Sequence, residues 1–133
     1  QRLTEAFEAL QACYARNDQV SAEEGAADAR FHLAIAEASH NTVLLHTIKG
    51  LFDLLRRNVV TNIGGMYAQR TETRAQLMEQ HQRLYDAIIS GQAELAREVS
   101  NQHIHYVQEV LAEVQEEARR MKRSQRRRSV QEE

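Results

Sequence analysis

The sequence predicts an all-α protein, an antiparallel helical bundle of about five to six helices, on three observations. Proline is absent and the five glycines are scattered. Ala, Leu, Glu, Gln and Arg, which lose little freedom on entering a helix, dominate the composition. Apolar residues recur at helical spacing along most of the chain, with no strand-like alternation. With 133 residues and 42% hydrophobic content, there is material for one core and one domain.

The first helix covers residues 3 to 16, where Leu3, Phe7, Leu10 and Tyr14 share a face and Asn17-Asp18 supply turn chemistry. Ser21 followed by Glu24 matches a capping box, so a second helix starts near Ser21 or just after Gly25 and runs to about His40, with Asn41 able to end it. From Val43, the stripe Leu44, Ile48, Leu51, Phe52, Leu55 and Val59 predicts a third helix lying centrally in the bundle and broken at Gly64-Gly65. A fourth begins between Met66 and Glu72, carries Leu77, His81, Leu84 and Ile88, and stops at Ser90-Gly91, where glycine suits a left-handed cap. The fifth starts near Gln92 and presents Leu95, Val99, His103, Tyr106, Val110 and Val114. Its periodicity fades after about Ala118, which divides the chain into a body, residues 1 to 118, and a basic, flexible, solvated end, residues 119 to 133.

Charge follows the same division. Residues 119 to 133 hold seven Arg or Lys against two Glu, or +5, and the remaining 10 − 17 leaves −7 on residues 1 to 118. An acidic body offers no phosphate-binding face, so direct nucleic-acid binding by it is disfavoured, and the tail arginines read most simply as a soluble helix end. The single cysteine, Cys13, forms no intramolecular disulfide and reads as a small buried residue. No apolar run approaches the roughly 20 residues needed to span a bilayer. These features predict a soluble protein of the reducing cytoplasm, with no membrane partner.

The residues able to carry chemistry are few. Asp28 and His32 lie four apart in DARFHLAIAEASHN, one turn apart on the side of the helix that Ile35 points inward. A carboxylate on an inward face is costly unless paired or coordinated. His81 and His103 also sit on apolar faces, 10 residues before and 12 after Gly91. If the last two helices form an antiparallel hairpin about that glycine, the two imidazoles face each other. Together with Asp28 and His32 they make a plausible His₃Asp metal site, suited to zinc, nickel, cobalt, manganese or iron. The bland alternative is that each is a satisfied core residue. His40, His46 and His105 are assigned no role.

The same residues resemble a known family. Asp28-x₃-His32 followed by Asn41, His81 in EQHQRLYDAIISG, and His103 in AREVSNQHIHYV are similar to the FCD ligand-binding domain of GntR-type bacterial transcription regulators, from about Asp28 to Leu111. The wording ADARFHLAIAEASHNTVLL, continued through NVVTNIGGMY, is nearest to the lactate-responsive members and their glycolate and pyruvate relatives. The resemblance implies a divalent metal, zinc foremost, on Asp28, His32, His81 and His103. It also implies a small carboxylate effector completing the coordination, a homodimer, and DNA bound only through a winged helix-turn-helix that this chain does not contain. The family's usual first helix, which tends to supply an arginine facing the pocket, is expected to be missing as well. Ser100, one turn before His103, and Asn58 are expected as polar contacts to the effector.

Three functions compete. The first is an effector-sensing domain of a transcriptional repressor responsive to a 2-hydroxy acid, with lactate ahead of glycolate or pyruvate. The second is a metal-dependent hydrolase or lyase. Against it, Glu79 lies on the opposite side from His81 and Glu37 is five residues from His32, so no acid is placed as a general base and the protein is expected not to be an enzyme. The third is a purely structural bundle whose inward polar residues satisfy each other.

Overall fold

A computed structural model describes residues 1–16, 22–55 and 72–131. Among them are five helices and no strand: α1 (Arg2–Arg16), α2 (Ala22–Ala38), α3 (Thr42–Leu55), α4 (Thr73–Ile89) and α5 (Ala93–Gln131). The protein is an all-α helical bundle. α1 packs on α2 and α4, α4 packs on α5, and α3 lies against α2.

The heptad-like spacing of α1 produces its buried face directly. Leu3, Phe7, Leu10, Cys13 and Tyr14 all turn inward and meet Ala27, Phe31 and Ala34 of α2, Leu84 of α4 and Val99 of α5. Phe7 stacks on Tyr85 with ring centroids 4.2 Å apart and also tilts against Phe31 at 5.7 Å. Such aromatic pairs add about 0.5–1.5 kcal/mol beyond the area they bury. The Tyr85 hydroxyl, carried past the core, meets the Thr4 hydroxyl at 2.9 Å. A second, smaller core lies farther along the α4–α5 pair, where Leu77 and Val110 are enclosed by Tyr106, Val107, Leu111 and Val114. There the Tyr106 hydroxyl donates to the buried Thr73 hydroxyl.

Two left-handed residues end helices. Gly91 has φ +72°, with Gln92 N–H on Ala87 O and Gly91 N–H on Ile88 O, so the paired bonds of a Schellman cap reverse the chain between α4 and α5. The stop expected at Ser90-Gly91 is where the chain turns. α2 ends differently: the left-handed position falls on His40, φ 55°, rather than on a glycine or on Asn41. The Ser39 hydroxyl helps hold this turn, donating to Ala36 O and accepting from Asn41 N–H.

The structure departs from the sequence expectation at two places, both on α5, and the central position expected for α3 falls largely on side chains outside the described ones. α3 packs on α2 among the described residues, and its described side chains are half-buried or exposed, with Val43 76% exposed. Its stripe continues through Leu44, Leu51, Phe52, Leu55 and Val59, whose side chains lie outside the described ones, as does the Gly64-Gly65 break. Leu95, assigned to the inward face of the last helix, is exposed, and at the start of α5 it is Ala96 and Val99 that meet the core. At the other end of α5 the apolar stripe fades as expected, yet the helix continues to Gln131. Residues 119 to 131 are mainly Arg, Lys, Gln and Met, all good helix formers, so the helix outlasts its packing.

Candidate functional site

Three helices bring four candidate ligand side chains, Asp28, His32, His81 and His103, to one point. On α2, the i,i+4 spacing sets His32 Nε2 3.6 Å from Asp28 Oδ1. On α4, His81 directs Nε2 to the same Asp28 oxygen at 3.4 Å. The reversal at Gly91 returns α5 antiparallel to α4, so His103 lies with its ring centroid 4.7 Å from that of His81. His32 closes the group, stacked on His103 at 5.3 Å and edge-on to His81 at 5.3 Å. One nitrogen from each of the three imidazoles lies within 4.8 Å of the others, a spacing at which a single ion could be held by all three. The hairpin geometry read from Gly91 therefore brings together the four residues singled out from the sequence.

The surroundings are dry on one side and open on the other. His81 and His103 are buried, Phe31 presents its ring to His81 at 5.4 Å, and Tyr14 lies behind at 6.5 Å. Asp28 and His32 remain about one quarter exposed, which leaves the group accessible along α2. Neither nitrogen of His81 has a hydrogen-bond partner among the described residues. An unsatisfied buried polar group costs about 1–3 kcal/mol, so this ring is held at a penalty that a ligand to it would remove.

Protonation states follow from burial and from the crowding of charge. Burial pushes His81 down to about 3, and the neighbouring imidazoles reinforce this against the attraction of Asp28. Burial likewise takes His103 to about 4, with His32 adding to the shift. Burial works to raise Asp28, but His32, His81 and His103 outweigh it and hold the carboxyl at about 2. At neutral pH the set is therefore two neutral rings with lone pairs free to coordinate, beside one carboxylate.

Gln80 is a member of the site that the sequence did not suggest. Its Oε1 lies 2.8 Å from His103 Nδ1. With the proton held on Nδ1 by that acceptor, the lone pair of His103 is on Nε2. A glutamine next to an inward histidine is ordinary in sequence, and only the α4–α5 register reveals that it reaches across. Glu24, outside the cluster, is a second residue whose buried place the sequence did not suggest. Read as one half of a capping box, it is buried and ion-pairs with Arg74 of α4 at 3.4 Å, while Arg74 also donates to Tyr14 O and covers the Tyr14 ring. Its capping partner Ser21 lies outside the described residues.

Of the two polar contacts expected for an effector, Ser100 is half-buried on α5 one turn before His103, and Asn58 lies outside the described residues. His40, His46 and His105 are exposed, away from the cluster. Glu79 is exposed, and Glu37 is exposed and paired with Arg2. No helix among the described residues is long and apolar enough to cross a membrane.

Comparison with known proteins adds an independent line. A family described as the FCD domain matches residues 1–106. The "Putative L-lactate dehydrogenase operon regulatory protein" of Escherichia coli (strain K12) is 45% identical over 94 residues, 71% of this chain and 36% of that protein. The "Glc operon transcriptional activator" of the same strain is 32% identical over 123 residues, 92% of this chain and 48% of that protein. The "HTH-type transcriptional regulator LutR" of Bacillus subtilis (strain 168) is 33% identical over 87 residues, 65% of this chain and 39% of that protein. The chain thus spans between about a third and a half of the length of these curated relatives.

Proposed function

Because this chain belongs to the FCD domain family, we propose that it is the metal-dependent, effector-sensing part of a transcriptional repressor. In this reading Asp28, His32, His81 and His103 hold one divalent ion, zinc ahead of nickel, manganese, cobalt or iron. The ion would supply a Lewis-acidic point of attachment for the carboxylate and hydroxyl oxygens of a small 2-hydroxy acid, lactate before glycolate or pyruvate. The observation that carries the reading is the buried His81 ring, with neither nitrogen hydrogen-bonded to a described residue, facing a carboxylate and two further imidazoles. The donor set fits such an ion: nitrogen and oxygen ligands, two rings kept neutral by burial, and Gln80 fixing the tautomer of a third-helix ligand.

The relatives support the regulatory side of this reading. One is named for an L-lactate dehydrogenase operon and another as an activator of the Glc operon, and none of the three names describes an enzyme. The effector acts by binding two arrangements of the bundle with different affinity, which changes the spacing of attached winged helix-turn-helix domains in a homodimer in the cytoplasm. Ser100 is placed one turn from His103 and contributes a hydroxyl to the effector. DNA is read by the attached domain.

Metal analysis of the purified chain, followed by isothermal titration with L-lactate, D-lactate, glycolate and pyruvate, tests the proposal. Near-stoichiometric metal and heat from L-lactate, both lost in His81→Ala, are expected. A chain that takes up no divalent metal, or a loaded chain that gives no heat with any of the four acids, overturns it.

A further inference from the structure

The C-terminal part of α5 is an exposed cationic rod. From Glu117 to Gln131 every side chain is exposed, and residues 119 to 131 carry seven cations and no acid. Six of the seven are arginine, whose planar fork matches phosphate oxygens in pairs. Because the segment is helical, the charges have a fixed arrangement. At 100° per residue, Lys122, Arg126, Arg119, Arg123 and Arg127 fall within an arc of about 140°, along about 12 Å of helix. Glu116 holds Arg120 and Arg123 at 3.6 and 3.5 Å. Arg119, Lys122, Arg126, Arg127 and Arg128 make no ion pair with any described residue. The rod lies wholly beyond residue 106, where the family match ends.

From this we infer that the α5 rod is a DNA-backbone arm, binding duplex phosphates without sequence preference beside the site read by the rest of the regulator. The inference rests on the regulator reading for the presence of DNA, and on the stripe for the contact. Other occupants fit less well. A lipid surface takes an amphipathic helix with an apolar face, and the rod has only Met121 and Val130, which lie on opposite sides of it. A protein partner, including the acidic body of a second copy, requires a desolvated core that is poor in charge. Phosphate needs only positive charge in register.

The test uses the whole 133-residue chain and a fluorescein-labelled 20-base-pair duplex of arbitrary sequence, followed by anisotropy between about 50 and 200 mM NaCl. With about four phosphates neutralised, log K should fall with log[salt] at a slope of about −3.6, or roughly a hundredfold over that range. Combining Arg119→Gln, Lys122→Gln, Arg126→Gln and Arg127→Gln should weaken binding at least tenfold and flatten the slope, with helicity by circular dichroism retained. The salt slope of the unaltered chain stands as a measurement that needs no variant. Absence of binding at 50 mM salt, or a variant that binds as well as the parent, overturns the inference. So does tighter binding to vesicles containing phosphatidylserine than to DNA, or self-association that the variant abolishes. Lactate titration of the same variant separates the two proposals: retained heat with lost DNA binding supports the arm, whereas DNA binding by a chain that never responds to any acid sinks only the effector reading.

Discussion

His81 sits in the native state with two buried ring nitrogens and no hydrogen bond to a described residue, and with His103 and Asp28 it shapes the acid response of the molecule. Its native value of about 3 and that of His103, about 4, both lie below the ordinary imidazole value of 6.5. As pH falls below 6.5 the unfolded chain takes up protons that the folded chain refuses, so stability declines from there and continues to decline until the native rings also protonate. Asp28, lowered from 3.8 to about 2, adds a loss of the same sign at lower pH. Thermal melts of the metal-free chain should therefore give a Tm that falls steadily between pH 7 and pH 4; equal values at those two ends would contradict the burial assigned to the pair. Gln80 makes a separate prediction at this scale. Gln80→Leu removes the acceptor at His103 Nδ1 and should weaken zinc binding about 10–100-fold in competition with a chromophoric chelator, as loss of an orienting partner generally does. An unchanged affinity would mean that the glutamine is incidental. The difference between His81 and Gln80 also marks what could be read in advance at this scale. An inward histidine declares itself by its apolar neighbours, whereas a glutamine that reaches across a hairpin does so only in one rotamer and one register.

At the scale of elements, two helix ends with the same left-handed turn respond oppositely to substitution. Gly91→Ala introduces a Cβ that would meet nothing within 4 Å, so its cost is backbone strain at φ +72° alone, about 1–2 kcal/mol. A lowered denaturation midpoint with the slope preserved is the expected signature. His40 already bears that strain, so His40→Gly should raise stability, by about 0.5–1 kcal/mol once the greater freedom of glycine in the unfolded chain is set against it. No gain in that variant would indicate that the His40 side chain makes a compensating contact. The stop at Gly91 was legible because glycine is the residue such a turn favours, whereas the stop at His40 was masked by Asn41, the better left-handed residue one position on. α3 shows another limit. Its stripe Leu44, Ile48, Leu51 announces an apolar side but contains nothing that says which neighbour covers it; among the described residues it is α2 that α3 packs on. The pairing of α4 with α5, by contrast, followed from a three-residue link and from two histidines at matching distances from it.

For the whole molecule, packing ends well before α5 does. The last core residues on it are Val110 and, partly buried, Leu111 and Val114. Deleting residues 119–133 should change the unfolding free energy by no more than ordinary surface changes do, about ±0.5 kcal/mol, because no core contact is lost. A large drop would show that the rod supports the bundle. The same α5 also carries His103 into the four-residue cluster, and this gives its length a mechanical consequence. From His103 to Gln131 is 28 residues of unbroken helix, about 42 Å. A tilt of about 5° where His103 meets His32 and His81 would sweep the far end by about 3.7 Å, about a third of a helix diameter. Adjustments too small to disturb the core around Phe31 are thus converted, by leverage alone, into displacements at the tip that a neighbouring surface can sense.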